Sequence, residues 1–109
     1  MSVREPKKHE LMLVKYLIEQ AEIQCDLIGL KVLDMNDGGM GSIKLIDDGS
    51  KRKCGRMVSD CQFIDEDNYP VIVSLFLDEN DQLFELDIWK VNLSPTIKFP
   101  IDVKQLRSV

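Results

Sequence analysis

Every second residue is apolar over positions 71–77 and again over 84–88, and the polar positions 79–82 separate the two runs. A period of two is typical of strands that bury one face, so the pattern predicts a β-hairpin with a four-residue turn. Placing Asp78 opposite Leu83 brings the apolar residues of the two strands together. One face of the predicted hairpin then consists of three pairs: Leu77 with Phe84, Leu75 with Leu86, and Val73 with Ile88.

The two faces of this hairpin differ in character. A shift of register by one residue would bring Glu85 and Asp87 into the apolar row, so the pattern itself determines which face is buried. We expect the apolar pairs, including Phe84, to form the core beneath an N-terminal helix. The opposite face mixes aromatic, aliphatic and acidic residues: Ile72, Ser74 and Phe76 on the first strand, and Glu85, Asp87 and Trp89 on the second.

A different period, of three to four residues, occurs near the N terminus. Leu11, Val14, Ile18 and Ala21 recur at the spacing that places side chains on one side of a helix, and Leu17 widens this stripe. A proline at position 6 is compatible with a first helical turn, where its missing N–H has no partner to lose. The pattern therefore predicts an amphipathic helix over about residues 6–20 that covers one face of the sheet.

Three more aliphatic stretches predict the rest of the sheet. Residues 30–35 and 42–46 flank a loop with three glycines and predict a second hairpin, and residues 57–64 predict a further strand. Prolines exclude the segment 92–101 from a central strand, and we expect its apolar residues, Leu93, Ile97 and Phe99, to dock it along the domain. The fold class is α+β: one domain over residues 1–109, with an N-terminal helix packed on an antiparallel sheet of about five strands.

Composition limits the possible partners and the location. A formal net charge of -5 argues against general nucleic-acid binding, which needs a basic surface to displace counterions from phosphates. The N terminus is charged and no apolar run approaches the ~18 residues of a membrane span, so we expect no membrane association and a cytoplasmic location. The three cysteines lack paired CxxC spacing, so we expect them to be reduced and mostly buried.

The sequence contains no strong motif for catalysis or for binding a phosphate or a metal. The glycine loop lacks the lysine and hydroxyl residues of a P-loop and returns to a strand, so it is predicted to be a turn. His9, the only histidine, is expected at a solvent position, and the basic residues at 51–56 are expected to form a solvated loop. The acidic connector 65–69 lacks the glycine and the distal glutamate of an EF-hand. We therefore predict no metal, no cofactor and no catalytic residue.

The acidic residues are more informative when a third strand is added to the hairpin. If Phe63 lies opposite Val71, Asp60 lies opposite Ser74, whose other neighbour is Asp87. Carboxylates on one face can serve metal-assisted or acid–base chemistry, or they can simply be solvated beside a Trp that the C-terminal segment partly covers. Exposed aromatic residues among charges are also typical of protein interfaces. The predicted partner-binding residues are Asp60, Ile72, Phe76, Glu85, Asp87 and Trp89.

Several blocks of this sequence resemble a family of small, uncharacterised bacterial proteins about one domain long. The most specific block is Glu-Leu-Asp-Ile-Trp-Lys at 85–90, and weaker ones lie at 37–42, 63–67, 70–71 and 94–95. Asn68 stands where the resemblance leads us to expect a glycine. Similar small acidic proteins often act as immunity proteins for bacterial toxins, so the resemblance implies a binding protein rather than an enzyme.

From the residues and the resemblance together, we expect a small acidic cytoplasmic module that binds a protein with a basic surface. A toxin-neutralising immunity protein is the specific form of this expectation. The alternative class is a small metal-binding protein or hydrolase that uses the carboxylates of Asp60, Glu85 and Asp87. Tight and specific binding of a divalent metal by these three acids would distinguish the alternative from the binding module.

Overall fold

The computed structural model describes residues 3–45 and 52–109, which form one helix, a five-stranded antiparallel sheet and a short 3₁₀ helix. The order of strands in the sheet is β1-β2-β5-β4-β3, so β1 and β3 form its edges. The helix lies on one side of this sheet and packs against β3 and β4. The predicted α+β fold is therefore confirmed. In chain order the elements are α1 (Lys8–Ala21), β1 (Val32–Asp34), β2 (Ile43–Leu45), β3 (Cys54–Ile64), β4 (Pro70–Asp78), β5 (Leu83–Lys90) and the 3₁₀ helix (Val103–Gln105).

The first turn of α1 is held by a buried acid. Oε1 of Glu10 accepts a hydrogen bond from the amide of Lys7 at 2.7 Å, and both oxygens of this carboxylate bind the guanidinium of Arg4. Arg4 also binds Asp34 at the end of β1, so the N-terminal segment, the helix and the sheet edge are tied together. The predicted stripe was slightly misplaced, because Leu11 is exposed. The buried residues of the stripe are Leu13, Val14, Leu17 and Ile18.

The central hairpin forms with the predicted register in its middle and a different one near its turn. Leu75 pairs with Leu86 as expected, but Leu77 pairs with Leu83 because a bulge separates Phe76 from Leu77 in the register. The extra residue is Phe84, which is partly exposed. The prediction of Phe84 as a core residue is therefore wrong, and Leu83 takes its place in the core.

The cause of the bulge is the side chain of Asp78. Its Oδ1 atom accepts hydrogen bonds from the amides of Asn80 at 2.8 Å and Gln82 at 3.0 Å, which closes the turn locally. The amide of Asp78 in turn donates to the carbonyl of Gln82 at 2.8 Å. Because the turn closes between Asp78 and Gln82, Leu83 is already the first paired residue of β5, and Phe84 is displaced from the apolar row.

A buried ion pair connects the end of β5 to the acidic connector. Lys90 is 0% exposed, and its Nζ atom lies 2.8 Å from Oδ2 of Asp65 and 2.7 Å from Oδ2 of Asp67. Asp65 also accepts hydrogen bonds from the amides of Ile97 at 2.8 Å and Lys98 at 3.0 Å. One carboxylate therefore fastens both β5 and the C-terminal segment to the β3–β4 turn.

The interactions of Asp65 predict that the folded protein loses stability in acid. Burial acts to raise the pKa of Asp65, but the amide of Ile97, the ammonium of Lys90 and the amides of Glu66 and Lys98 outweigh it and hold the pKa at about 2, below its ordinary 3.8. Because the folded-state pKa is the lower one, the stabilisation is complete above the unfolded value and is lost as the pH falls through the folded value. Urea unfolding of the wild type and of Asp65→Asn at stepped pH should show a difference in stability that is constant near neutrality and shrinks between about pH 4 and pH 2.

The C-terminal segment 92–101 is irregular and docks through only one of the three apolar residues expected to hold it. Leu93 and Ile97 are exposed, whereas Phe99 packs against the core and its ring stacks on His9 with centroids 4.0 Å apart. His9 is therefore half-buried rather than solvated. The stack also explains Gly41, where a Cβ atom would lie 2.6 Å from Cζ of Phe99 and the backbone φ is +111°.

The remaining corrections concern single residues. Arg52, predicted to be solvated, binds Asp78 at 3.1 Å and the carbonyls of Leu83 and Leu45. The three cysteines are free, but only Cys61 is buried, while Cys54 is exposed on β3. Ile46 and Lys51, which the sequence placed in a strand and in the basic loop, lie outside the described residues.

Both edges of the sheet are partly covered by the termini. The backbone of Arg4 exchanges two hydrogen bonds with Val32 on β1, and Arg107 exchanges two with Gln62 on β3. The side chain of Leu106, next to this second bridge, is buried in the core. Covering an edge in this way limits pairing with strands of other molecules.

Candidate functional site

The side of the sheet away from α1 contains the residues that the sequence singled out. Ser74 pairs with Asp60 on one side and with Asp87 on the other, Ile72 pairs with Trp89, and Phe63 pairs with Val71, all as predicted. Because α1 packs on the opposite side, no helix in the described part of the chain covers this surface. We call it the open face and define it by Asp60, Ile72, Phe76, Glu85, Asp87 and Trp89.

Exposure on the open face is graded. Trp89 is 46% exposed, and the other five residues are partly exposed. The C-terminal segment is hydrogen-bonded to the glycine loop, since the amide and hydroxyl of Thr96 donate to the carbonyls of Gly39 and Met40. The open face is thus accessible to a partner and keeps a large aromatic surface in contact with water.

Strand pairing arranges the open face as a polar row between two rows that carry its large apolar side chains. Asp60, Ser74 and Asp87 form the polar row across β3, β4 and β5. Ile72 and Trp89 form a second row on one side of the polar row. They lie two residues away along β4 and β5, about 6.8 Å from it. On the other side Phe76 pairs with Glu85, and the exposed Met57 pairs with Phe76.

Two carboxylates of the open face are partly desolvated. Burial raises the pKa of Glu85, the charge of Asp87 raises it further, and Lys44 on β2 lowers it. Burial also raises the pKa of Asp87, against a hydrogen bond from the hydroxyl of Ser42, whose Oγ lies 3.3 Å from Oδ1, while the charge of Asp37 adds to the increase. Among the described residues neither carboxylate forms an ion pair.

The fully buried acids in the described part of the chain do have cationic partners. Three carboxylates are fully buried in the described ranges, and each binds a cation: Glu10 binds Arg4, Asp65 binds Lys90, and Asp78 binds Arg52. Pairing is what normally makes a buried charge tolerable. Glu85 and Asp87 therefore differ from these three acids in being half-buried without an ion pair.

A second candidate region is a cleft of about 300 Å³ between the start of α1, the glycine loop and Phe99. Its lining includes His9, whose pKa is lowered chiefly by burial. Two amides of the glycine loop already bind a carboxylate of the chain, because Asp37 accepts hydrogen bonds from the amides of Ser42 at 2.8 Å and Gly41 at 3.4 Å. The turn interpretation of this loop thus agrees with its hydrogen bonding.

Neither a metal site nor a membrane span is present in the described parts of the chain. Within residues 3–45 and 52–109, no three His, Cys, Asp or Glu side chains are placed so that they could hold a metal ion. No helical segment of these ranges combines the length and the apolar character that crossing a bilayer requires.

Sequence reasoning missed the residues that form the buried ion pairs. Lys90 could have been found, because it continues the alternation of Leu86 and Ile88 on the core side of β5. Arg4 and Arg52 gave no comparable signal, since both lie outside the strands and the helix and meet their acids only through the tertiary fold.

The electrostatic character of the open face can be measured through Trp89, the only tryptophan in the chain. Relative to free N-acetyltryptophanamide, caesium should quench its fluorescence more efficiently than iodide, because neighbouring carboxylates attract the cation and repel the anion. The double variant Glu85→Gln with Asp87→Asn should reduce this difference. Glu19→Gln with Glu22→Gln, which removes the same charge from exposed positions at the end of the helix, should leave it nearly unchanged; equal effects of the two variants would contradict the assignment.

Comparison with known proteins identifies a family whose function is unknown. The chain matches the family described as a domain of unknown function (DUF6984) over residues 3–100, and it belongs to this family. The expectation of an uncharacterised family is confirmed at this level. No curated protein matches the chain, and no solved structure matches it.

Proposed function

We propose that this protein is a binding module whose open face binds a protein with a basic surface. The observation that carries the proposal is the pair of half-buried carboxylates, Glu85 and Asp87, which form no ion pair in the described residues and lie beside the half-exposed Trp89. A partner's cations would complete on this face the pairing that the three buried acids already have. The net charge of -5 favours the same class of partner.

The parts of the open face suit different aspects of binding. Trp89 offers a large rigid surface whose burial would stabilise a complex, as burial of tryptophans at interface centres typically does. Glu85 and Asp87 supply charge that accelerates encounter with a basic surface and disfavours acidic competitors. The association rate should therefore fall with added salt, and affinity should weaken as acidification protonates the two carboxylates.

The proposal has a narrower form and a location. We propose a cytoplasmic protein, because its three free cysteines fit a reducing compartment. Neutralisation of a toxin by an immunity protein is the narrower form, supported by the small size, the acidity and the resemblance described above. Identification of the partner as a basic toxin domain would establish it.

The experiment compares three tagged baits in lysates of the native host. Wild-type protein, the variant Glu85→Gln with Asp87→Asn, and the control Glu19→Gln with Glu22→Gln carry the same tag, and the two variants have the same net charge. Proteins that bind through the open face should be retained by the wild type and the control, lost from the first variant, and released by salt. A partner retained equally by all three baits would contradict the proposal.

The same variants address the alternative of a metal-binding protein or hydrolase. That alternative requires divalent metal to bind tightly at Asp60, Glu85 and Asp87, and calorimetric titration of the wild type with Mg²⁺, Mn²⁺ and Zn²⁺ measures this directly. Binding that is tight, stoichiometric and abolished by the variant Glu85→Gln with Asp87→Asn would favour the alternative over the binding module.

A further inference from the structure

We infer that the partner places an arginine side chain on the open face, with its guanidinium stacked on Trp89 and paired with Asp87. This inference rests on the proposed function, and it adds the residue type that the open face recognises. It follows from the arrangement of acid and aromatic ring, from the acceptor atoms that remain available, and from a contact that the protein already makes with one of its own arginines.

The first argument is the spacing of Asp87 and Trp89. They lie two residues apart on the same face of β5, about 6.8 Å along the strand. A planar guanidinium can lie on an aromatic ring and still donate hydrogen bonds in its own plane to a carboxylate at the ring's edge. A lysine ammonium is a compact point charge that has no flat face to stack, so it uses this arrangement less completely.

The second argument is the unused acceptor capacity of the carboxylates. A carboxylate offers about four acceptor sites. Asp87 receives one long contact in the described structure, from the hydroxyl of Ser42, and that hydroxyl also lies 3.2 Å from the carbonyl of Ile88. A guanidinium with five N–H donors can fill these acceptor sites, and its fork matches the geometry of a carboxylate.

The third argument is that the chain binds an arginine of its own in this way. The guanidinium of Arg52 binds Oδ2 of Asp78 at 3.1 Å, donates to the carbonyl of Leu83 at 2.9 Å, and lies 5.5 Å from the centre of the Phe84 ring. Acid, carbonyl and ring are therefore compatible with one guanidinium on this sheet. On the open face Asp87 and Trp89 present the acid and the ring.

The test uses two peptides of equal length and charge, hexa-arginine and hexa-lysine. Each is titrated into the full chain, with calorimetry as the readout for every variant and Trp89 fluorescence as a second readout for the wild type. We expect hexa-arginine to bind about tenfold more tightly than hexa-lysine, the size of one combined stacking and bidentate contact. Trp89→Leu and Asp87→Asn should each bring the two affinities close together.

Controls separate site binding from general attraction to an acidic protein. Glu19→Gln with Glu22→Gln lowers the negative charge away from the open face, and it should preserve the preference for hexa-arginine. Equal affinities of both peptides for the wild type, with binding still lost in Glu85→Gln plus Asp87→Asn, would overturn the arginine inference and leave the proposed function standing. Absence of binding by both peptides, or a preference that persists in Trp89→Leu and Asp87→Asn, would overturn the inference; absence of binding would also count against the proposed function.

Discussion

Replacing Asp65 with asparagine is expected to lower the free energy of unfolding by about 3–5 kcal/mol, as is typical when one partner of a buried ion pair is removed. The carboxylate accepts hydrogen bonds from three amides, those of Glu66, Ile97 and Lys98. An asparagine presents one acceptor oxygen and turns a donor toward the remaining N–H groups. It also leaves the ammonium of Lys90, which is 0% exposed, with less negative charge beside it.

The measurement is urea unfolding at neutral pH, with an exposed ion pair as the control. Asp81 lies 3.4 Å from Arg56 and both side chains are exposed, so Asp81→Asn should change the free energy of unfolding by about 1 kcal/mol or less. Comparable losses for Asp65→Asn and Asp81→Asn would contradict the assignment of Asp65 as the residue that fastens the C-terminal segment.

Truncation of Leu86 to alanine is expected to lower the free energy of unfolding by about 2–5 kcal/mol. Leu86 is fully buried and pairs with Leu75 on β4 and with Ile43 on β2, so its removal leaves a cavity that neighbouring strands cannot close. Phe84→Ala is the matched comparison two residues away. Because Phe84 sits at the bulge and is partly exposed, its truncation should cost less, even though it removes a larger side chain.

Unfolding in urea, followed by circular dichroism, measures both variants. The order of the two effects decides between the bulged hairpin and a regular one, since a regular hairpin would make Phe84 the more damaging truncation. A loss for Leu86→Ala below about 0.5 kcal/mol, the range of ordinary surface substitutions, would show that this side of the sheet is not the core.

The sequence predicted the sheet well where alternation was uninterrupted. In the middle of the hairpin the acids Glu85 and Asp87 exclude any other register, so the pairs that build the open face were obtained correctly. Near the turn the register depends on hydrogen bonds that the amides of Asn80 and Gln82 donate to the carboxylate of Asp78, and no hydrophobic pattern records these. Phe84 was therefore misplaced although its neighbours were not.

The residues of the open face could be predicted for a related reason, but the absence of ion pairs at Glu85 and Asp87 in the described residues could not. Strand parity alone collects Asp60, Glu85, Asp87 and Trp89 on one face. The absence of an ion pair at Glu85 and Asp87 in the described residues becomes informative only by comparison with the buried acids that are paired. Those pairs join residues far apart in the chain, as Lys90 joins Asp65. Sequence spacing carries no information on such partners, because the tertiary fold brings them together.

The two sides of the sheet have different structural roles in this small protein. One side, with α1 and the apolar row of the hairpin, provides the core, and the buried acid–cation pairs fasten the segments at its margins. The open face contributes few residues to that core, and it carries a central row of polar residues with aromatic side chains on either side. This division leaves the open face available for the recognition that we propose.

Photo-crosslinking in the native host tests most directly whether a partner covers the open face. The photoreactive residue p-benzoylphenylalanine replaces Trp89 in one protein, and in a second it replaces Leu11, which is exposed on the helix side. The account predicts a discrete adduct from position 89 that is absent from position 11 and disappears when Glu85→Gln and Asp87→Asn are added. An adduct from position 11 without one from position 89, or adducts that survive the loss of both carboxylates, would contradict it.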